Sequence, residues 1–255
     1  MPTVASEREE LVRRAIDTHD QAVVHRDYWL QNEFVCMDRF FPADLVDEWA
    51  AEADRLRPSI NRNYVPRHKK GGSVSYYDVR QKAPAILALY RSPILRAFLG
   101  SIVEAPLLLC PEQDPHACAL YFYTDPGDHI GFHYDKSYYK DRRYTVLVGV
   151  RERSQQCRLV ARLYKDQPNR EIREMRIPMD PGTVVTFNGD KLWHAVTPLE
   201  EGAERIVLTL QYVTDQTMGP VKRLYSNMKD AFAYFGPRAL LQSKSSRTRR
   251  DESCD

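Results

Sequence analysis

The chain has 255 residues, of which 43% are hydrophobic, 28% charged and 11% aromatic, the composition of a folded globular protein rather than a disordered or fibrous one. Lys plus Arg (37) nearly balance Asp plus Glu (35), and the net charge of +2 argues against a protein that wraps nucleic acid through a strong positive field. A membrane-spanning helix needs about 20 consecutive apolar residues, and no apolar run in the sequence approaches that length. Residues 1–14 are too charged for a signal peptide. We therefore expect a cytoplasmic protein that binds neither membrane nor nucleic acid. The five cysteines lack CxxC spacing, which favours reduced thiols.

The first hundred residues have mainly helical patterns. Apolar residues recur at intervals of three or four through residues 7–24, and again through 43–57 after Pro42, which predicts two amphipathic helices. A strand-like run lies between them at 34–41. Residues 61–79 contain two glycines and several basic side chains, which predicts a loop that leads into a short strand at 73–79. Residues 81–99 look helical, with a break at Ser92–Pro93.

The pattern changes after Glu104. Short β-branched and aromatic runs alternate with Pro, Gly, Asp and Asn over residues 105–214, which is typical of an antiparallel sandwich or barrel. We expect a single domain over 1–241, with a helical front (1–104) packed on one sheet of a β core (105–214) and a C-terminal cap (215–241) containing a helix at 222–236. Residues 242–255 lack apolar side chains and are predicted to be a disordered basic tail.

Two histidines and one aspartate in the β region have the spacing of a metal site. His133 and Asp135 are two residues apart in a strand-like context, so strand alternation places both on one face. His194 follows 61 residues later, next to another strand. Two imidazoles and one carboxylate form the facial triad that leaves open positions on non-haem Fe(II).

Arg205 is the second signal, because it opens the strand 205–213 with its side chain on the same face as Val207, Thr209 and Gln211. A buried guanidinium requires an anionic partner. A ligand carboxylate is one such partner, since it can accept both prongs of the arginine fork.

These segments resemble the Fe(II)/2-oxoglutarate-dependent dioxygenases, particularly the branch that includes prolyl hydroxylases. The resemblance rests on YTDPGDHIGFHYD, RRYTVLVGV and DPGTVVTFNGDKLWHAVTPLEEGAERIVLTL, which cover about 90 residues in the family's order. It implies a double-stranded β-helix, the jelly-roll or cupin-like fold, that uses Fe(II), 2-oxoglutarate and O2. It implies further that iron is bound by His133, Asp135 and His194, and that 2-oxoglutarate is bound by Arg205, Tyr123 and Thr145.

The resemblance also implies a reaction. Related radical halogenases carry Gly or Ala where this chain has Asp135, which leaves room for a halide, so the carboxylate favours hydroxylation. Chain length and the segments KKGGSVSYYDV and SNMKDAFAYFG resemble small bacterial oxygenases and halogenases that act on free amino acids. An amino-acid-like substrate is therefore expected, with loop 61–79 as a lid.

The candidate substrate contacts are Arg67, His68, His129 and Lys136. Two alternatives stay open. One is a protein or peptide hydroxylase. The other is a zinc-binding cupin-like hydrolase or structural protein, in which Arg205 forms an ordinary salt bridge.

Overall fold

A computed structural model describes residues 4–219 and Phe235. Six helices precede the main β region, and their bounds follow sequence signals. Asp20 accepts hydrogen bonds from the backbone N–H groups of Ala22 and Val23 and so starts the second helix. The helices are α1 (Val4–Asp17), α2 (Gln21–Leu30), α3 (Ala43–Leu56), α4 (Tyr76–Lys82), α5 (Pro84–Arg91) and α6 (Pro93–Val103).

Twelve strands pair antiparallel in one curled sheet, which has the jelly-roll form expected from the sequence. The strands are β1 (Phe34–Met37), β2 (Asn61–Val65), β3 (Lys69–Val74), β4 (Leu108–Leu109), β5 (Cys118–Tyr123), β6 (His129–His133), β7 (Arg143–Glu152), β8 (Leu159–Leu163), β9 (Arg173–Ile177), β10 (Val184–Asn188), β11 (Trp193–Val196) and β12 (Arg205–Val213). Their order is β1-β10-β7-β12-β5-β3-β6-β11-β8-β9, with β2 on β3 and β4 on β12.

Strand β12 shows how the sheet separates the core from a cavity. Its even-numbered side chains, among them Leu208 and Leu210, join the hydrophobic core that α3 and α6 complete with residues such as Trp49 and Leu99. The odd-numbered side chains, from Arg205 to Gln211, line a cavity on the opposite face. The predicted packing of N-terminal helices on one sheet is therefore confirmed, and the strand period of two places Arg205 inside.

The structure corrects two predictions in the helical front. The helix predicted over 7–24 is two helices, because Asp20 caps a new one. The segment 61–79 is not a loop with a strand at 73–79. It is the β2–β3 hairpin followed by α4. Gly72 allows close packing, since a Cβ there would lie 2.6 Å from Ile60 Cγ2.

Several other predictions can be compared with the described residues. The helix at 43–57 and the break at Ser92–Pro93 are confirmed, and the strand predicted over 34–41 is shorter, because it ends at Met37. The predicted helix 222–236 and the tail 242–255 lie outside the described residues. Cys36, Cys110, Cys118 and Cys157 are free thiols. No single helix in the described part of the chain is long and apolar enough to cross a membrane. The bent pair of α5 and α6, with an angle of 43° between them, has the length and composition of a membrane span when the two helices are taken together.

Candidate active site

His133, Asp135 and His194 converge at the mouth of the β6–β11 pair. His133 and His194 are register partners on these strands, and their ring centroids lie 4.2 Å apart. Asp135 Oδ1 lies 3.3 Å from His133 Nε2 and 3.9 Å from His194 Nε2. The three ligand atoms, one from each residue, all lie within 4.8 Å of one another, which is close enough for all three to bind one metal ion.

Asp135 reaches this group by a route that alternation did not predict. Strand β6 ends at His133, so Asp135 lies beyond the strand rather than on its face. Its backbone packs against Gly189, where an added Cβ would lie 2.3 Å from the Asp135 carbonyl oxygen. Glycine at position 189 therefore allows the close approach that brings the carboxylate to the imidazoles.

Backbone carbonyls orient both imidazoles. His133 Nδ1 lies 2.8 Å from the Gly131 carbonyl oxygen, and His194 Nδ1 lies 3.1 Å from that of Leu192. Because a carbonyl only accepts, each Nδ1 carries a proton, and each Nε2 is the ring nitrogen that faces the centre and can bind a metal. Burial, reinforced by His133, lowers the pKa of His194 to about 4, so this imidazole is neutral at pH 7.

Thr145 fixes the carboxylate. Its hydroxyl lies 2.8 Å from Asp135 Oδ2 and 3.1 Å from Gln211 Oε1. Gln211 Oε1 already accepts from Arg143 Nε at 2.9 Å, so the single hydroxyl proton goes to the charged carboxylate. Burial opposes ionisation of Asp135, but the imidazoles and Thr145 outweigh it and keep its pKa well below the usual range. Two imidazoles whose Nε2 atoms face the centre and an oriented carboxylate fit Fe(II).

Arg205 lies fully inside the protein on the same cavity. Its Nη1 is 3.6 Å from both Glu152 Oε2 and Cys157 Sγ, and its guanidinium carbon lies 5.8 Å from the centre of the Tyr123 ring. Glu152 therefore supplies a partial counter-charge that the sequence did not reveal. Arg205 Nε has no hydrogen-bond partner within the described residues. A buried donor without a partner is costly, and a ligand carboxylate would satisfy it.

The predicted substrate residues are dispersed. Lys136 lines the cavity, and the His68 ring centroid lies 6.0 Å from that of His133. Arg67 is exposed in the β2–β3 turn, where its φ is +61°. His129 contacts the Gly127 carbonyl oxygen at 2.8 Å and does not line the cavity.

Arg143 is a cavity residue that sequence reasoning missed. It opens β7, whose residue Leu147 also lines the cavity, and Thr145 between them contacts Asp135 Oδ2 at 2.8 Å. The period of two in RYTVLVGV, read from Thr145, was a signal that could have placed Arg143 on the same face.

Comparison with known proteins supports the fold. Similar solved structures include the alpha-ketoglutarate-dependent epimerase SnoN from nogalamycin biosynthesis, at 14% identity and a TM-score of 0.64 over 76% of this chain and 82% of that one. A Pseudomonas putida prolyl-4-hydroxylase has 22% identity and a TM-score of 0.59, over 78% of this chain and 100% of that one. EctD from S. alaskensis, solved with 2-oxoglutarate and 5-hydroxyectoine, has 15% identity and a TM-score of 0.56, over 72% and 73%. No curated protein matches the sequence significantly.

The curled sheet is the fold of these solved enzymes, and His133, Asp135 and His194 form a group that could hold a metal ion. A family model described as Halogenase D matches residues 17–232. The chain belongs to the Halogenase D family.

Proposed function

We propose that this protein is a hydroxylase that couples decarboxylation of 2-oxoglutarate to oxidation of an unactivated C–H bond in a small molecule, namely a free amino acid or an amino-acid-derived metabolite. The observation that carries the proposal is Asp135, a carboxylate that Thr145 orients beside the imidazoles of His133 and His194. Iron(II) bound there would supply the chemistry by which O2, 2-oxoglutarate and R–H give succinate, CO2 and R–OH.

The remaining residues bind and orient. His133, Asp135 and His194 hold the metal and leave its other positions open. Arg205 receives the distal carboxylate of 2-oxoglutarate on its unpaired Nε, and Tyr123, its register partner on β5, stands beside it. Apolar side chains such as Leu147 and Val207 exclude water from the same cavity.

Asp135 also distinguishes hydroxylation from the halogenation in the family's name. A halide requires an open metal position, and here a carboxylate oxygen stands 3.3 Å from His133 Nε2. The Thr145 hydroxyl donates a hydrogen bond to this carboxylate at 2.8 Å, so the neighbouring residues are arranged to hold a carboxylate at position 135. Hydroxylation is therefore the reaction that the ligand set supports.

Family membership supports a small substrate, since it agrees with the resemblance of this chain to enzymes acting on free amino acids. The rival peptide reading has its own support, because a prolyl hydroxylase from Trichoplax adhaerens with a bound peptide fragment of hypoxia inducible factor is among the similar structures, at 15% identity and a TM-score of 0.58. The zinc hydrolase reading makes Arg205 a salt-bridge residue, which Glu152 at 3.6 Å fits, but it leaves the buried Arg205 Nε without a partner among the described residues.

The test is O2-dependent succinate formation with iron(II), scored against free amino acids and peptides, with mass spectrometry of the products. A mass gain of one oxygen is expected, and the His133→Ala variant should lose all turnover. His129→Ala is the matched control, because His129 lies on the same strand but not on the cavity. Anaerobic iron(II) plus 2-oxoglutarate should give a visible charge-transfer band. Absence of that band with activity retained on zinc would contradict the proposal, whereas stimulation by peptides alone would support the peptide reading.

A further inference from the structure

The cavity has a second end that lies far from Arg205. On β12, Arg205 and Gln211 are six residues apart, which is roughly 20 Å along a strand. Gln211 Oε1 accepts from Arg143 Nε at 2.9 Å, so Arg143 marks the far end. His116 belongs to the same end, because the Gln211 backbone N–H donates to the neighbouring Ala117 carbonyl. Lys136 also lines the cavity, and it directly follows Asp135, whose carboxylate is linked to Gln211 through the Thr145 hydroxyl. We call the part of the cavity lined by His116, Lys136, Arg143 and Gln211 the distal end.

The distal end is cationic. Arg143 is 7% exposed and Lys136 stands at the rim, directly after the metal ligand Asp135. Asp135 is the only carboxylate among the cavity-lining residues that the structure describes, and it is committed to the metal. Iron(II) and the 2-oxoglutarate dianion cancel each other in charge, so their binding leaves the positive excess in place.

Arg143 is oriented from behind and remains able to bind. Asp114 Oδ2 lies 3.5 Å from Arg143 Nη2, and Asp114 is itself held by the Tyr139 hydroxyl at 2.7 Å. Nε is used by Gln211. Nη1 makes no hydrogen bond with any residue in the described part of the chain, although the side chain faces the cavity. A guanidinium held in this way is pre-organised for a carboxylate.

We propose that the distal end binds an acidic group of the substrate, with Arg143 as the anchor and Lys136 as the second cation, so that the enzyme selects a carboxylate-bearing small molecule and rejects one with a cationic side chain. This inference rests on the proposed function, whose amino-acid-like substrate it narrows. A cationic side chain would meet two like charges there, and the nearby carboxylate of Asp114 does not line the cavity and is already held by Arg143 and Tyr139. Like-charge juxtaposition is how binding sites exclude wrong partners.

The test is calorimetric binding of three probes to the full chain loaded anaerobically with iron(II) and saturating 2-oxoglutarate. The probes are L-glutamate, its neutral isostere L-glutamine, and L-lysine. We expect L-glutamate to bind at least tenfold more tightly than either of the others. Arg143→Gln should abolish this preference, Arg143→Lys should retain part of it, and Lys136→Glu should shift the preference towards L-lysine.

Lys140→Gln is the matched control, because it removes the same charge four residues from Lys136, on an exposed side chain that does not line the cavity. Its preference should equal that of the wild type. If Arg143→Gln fails to fold, because Asp114 loses its partner, the exposed Lys136 variant decides alone. Equal or tighter binding of L-glutamine or L-lysine, or no binding of L-glutamate, overturns the inference. Failure of the wild type to bind iron(II) and 2-oxoglutarate would instead overturn the proposed function.

Discussion

The hydroxyl of Thr145 is predicted to control metal affinity, and Thr145→Val tests this with the smallest possible change in shape. The side chain is fully buried and its Oγ1 lies 2.8 Å from Asp135 Oδ2. A hydrogen bond to a charged group is worth about 1.5–3 kcal/mol. Removing a partner of a metal ligand commonly costs about 10–100-fold in metal affinity. Valine favours strands as strongly as threonine, so the fold of β7 should remain.

The assay is titration of metal-free protein with Mn(II) and Fe(II) under nitrogen, followed by turnover at saturating metal. We expect the Kd for both metals to rise by about 10–100-fold. Thr186→Val is the control, since Thr186 is equally buried on the adjacent strand β10 and its hydroxyl has no partner within the described residues. Metal binding by the Thr145 variant as tight as that of the Thr186 variant would refute the reasoning.

Three further outcomes are expected. Replacing chloride by sulfate should leave hydroxylation unchanged, because Asp135 fills the position a halide requires, and a chlorinated product in chloride buffer would contradict this. Glu52→Ala should lower the free energy of unfolding, measured in urea, by about 2–3 kcal/mol. The reason is that the buried Glu52 carboxylate accepts hydrogen bonds from the Ala85 and Ile86 N–H groups at the start of α5, both at 2.9 Å. Asp47→Ala, at an exposed position on the same helix as Glu52, should change the free energy of unfolding little. Burial, reinforced by the nearby Arg62, lowers the pKa of Lys69 to about 7, so that between pH 7 and 10.5 the unfolded chain binds more protons and stability rises with pH. The free energy of unfolding of the wild type should therefore rise by about 2 kcal/mol between pH 7 and pH 9, and Lys69→Met should remove this rise. If the free energies of unfolding of the two proteins change in parallel with pH, Lys69 does not cause the rise.

Local sequence patterns were sufficient to predict most helices and strands. They failed where tertiary contacts determine the local structure. The period of three to four predicts α3 to within one residue, and Ser92–Pro93 marks the boundary between α5 and α6. The β2–β3 hairpin was predicted to be a loop because glycines, here at 71 and 72, are common loop residues. In the structure, the missing side chain of Gly72 leaves space for the Ile60 side chain to pack against the strand. That requirement is a property of packing, and no local pattern contains it.

The same distinction explains the site. Spacing and residue type brought out His133, Asp135 and His194, because metal chemistry restricts which side chains can serve. The counter-charge Glu152 was not predicted. It lies on β7, and only the pairing of β7 with β12 places it opposite Arg205. The register between strands that are distant in sequence was needed to see that Arg205 has a protein neighbour of opposite charge.

One chain of polar contacts links the two ends of the reaction. Asp135, Thr145, Gln211 and Arg143 follow one another at 2.8, 3.1 and 2.9 Å, so the group that orients the metal ligand also contacts the amide that orients the proposed substrate anchor. Thr145 and Gln211 are register partners on β7 and β12, which makes the link part of the sheet rather than of a loop. Because rigid elements hold binding groups more tightly than loops do, strand geometry would set the distance between a metal at this centre and a substrate carboxylate on Arg143. In the proposed hydroxylase, the C–H bond to be oxidised would then be selected by its separation from that carboxylate, so one point of attachment would control the position of hydroxylation.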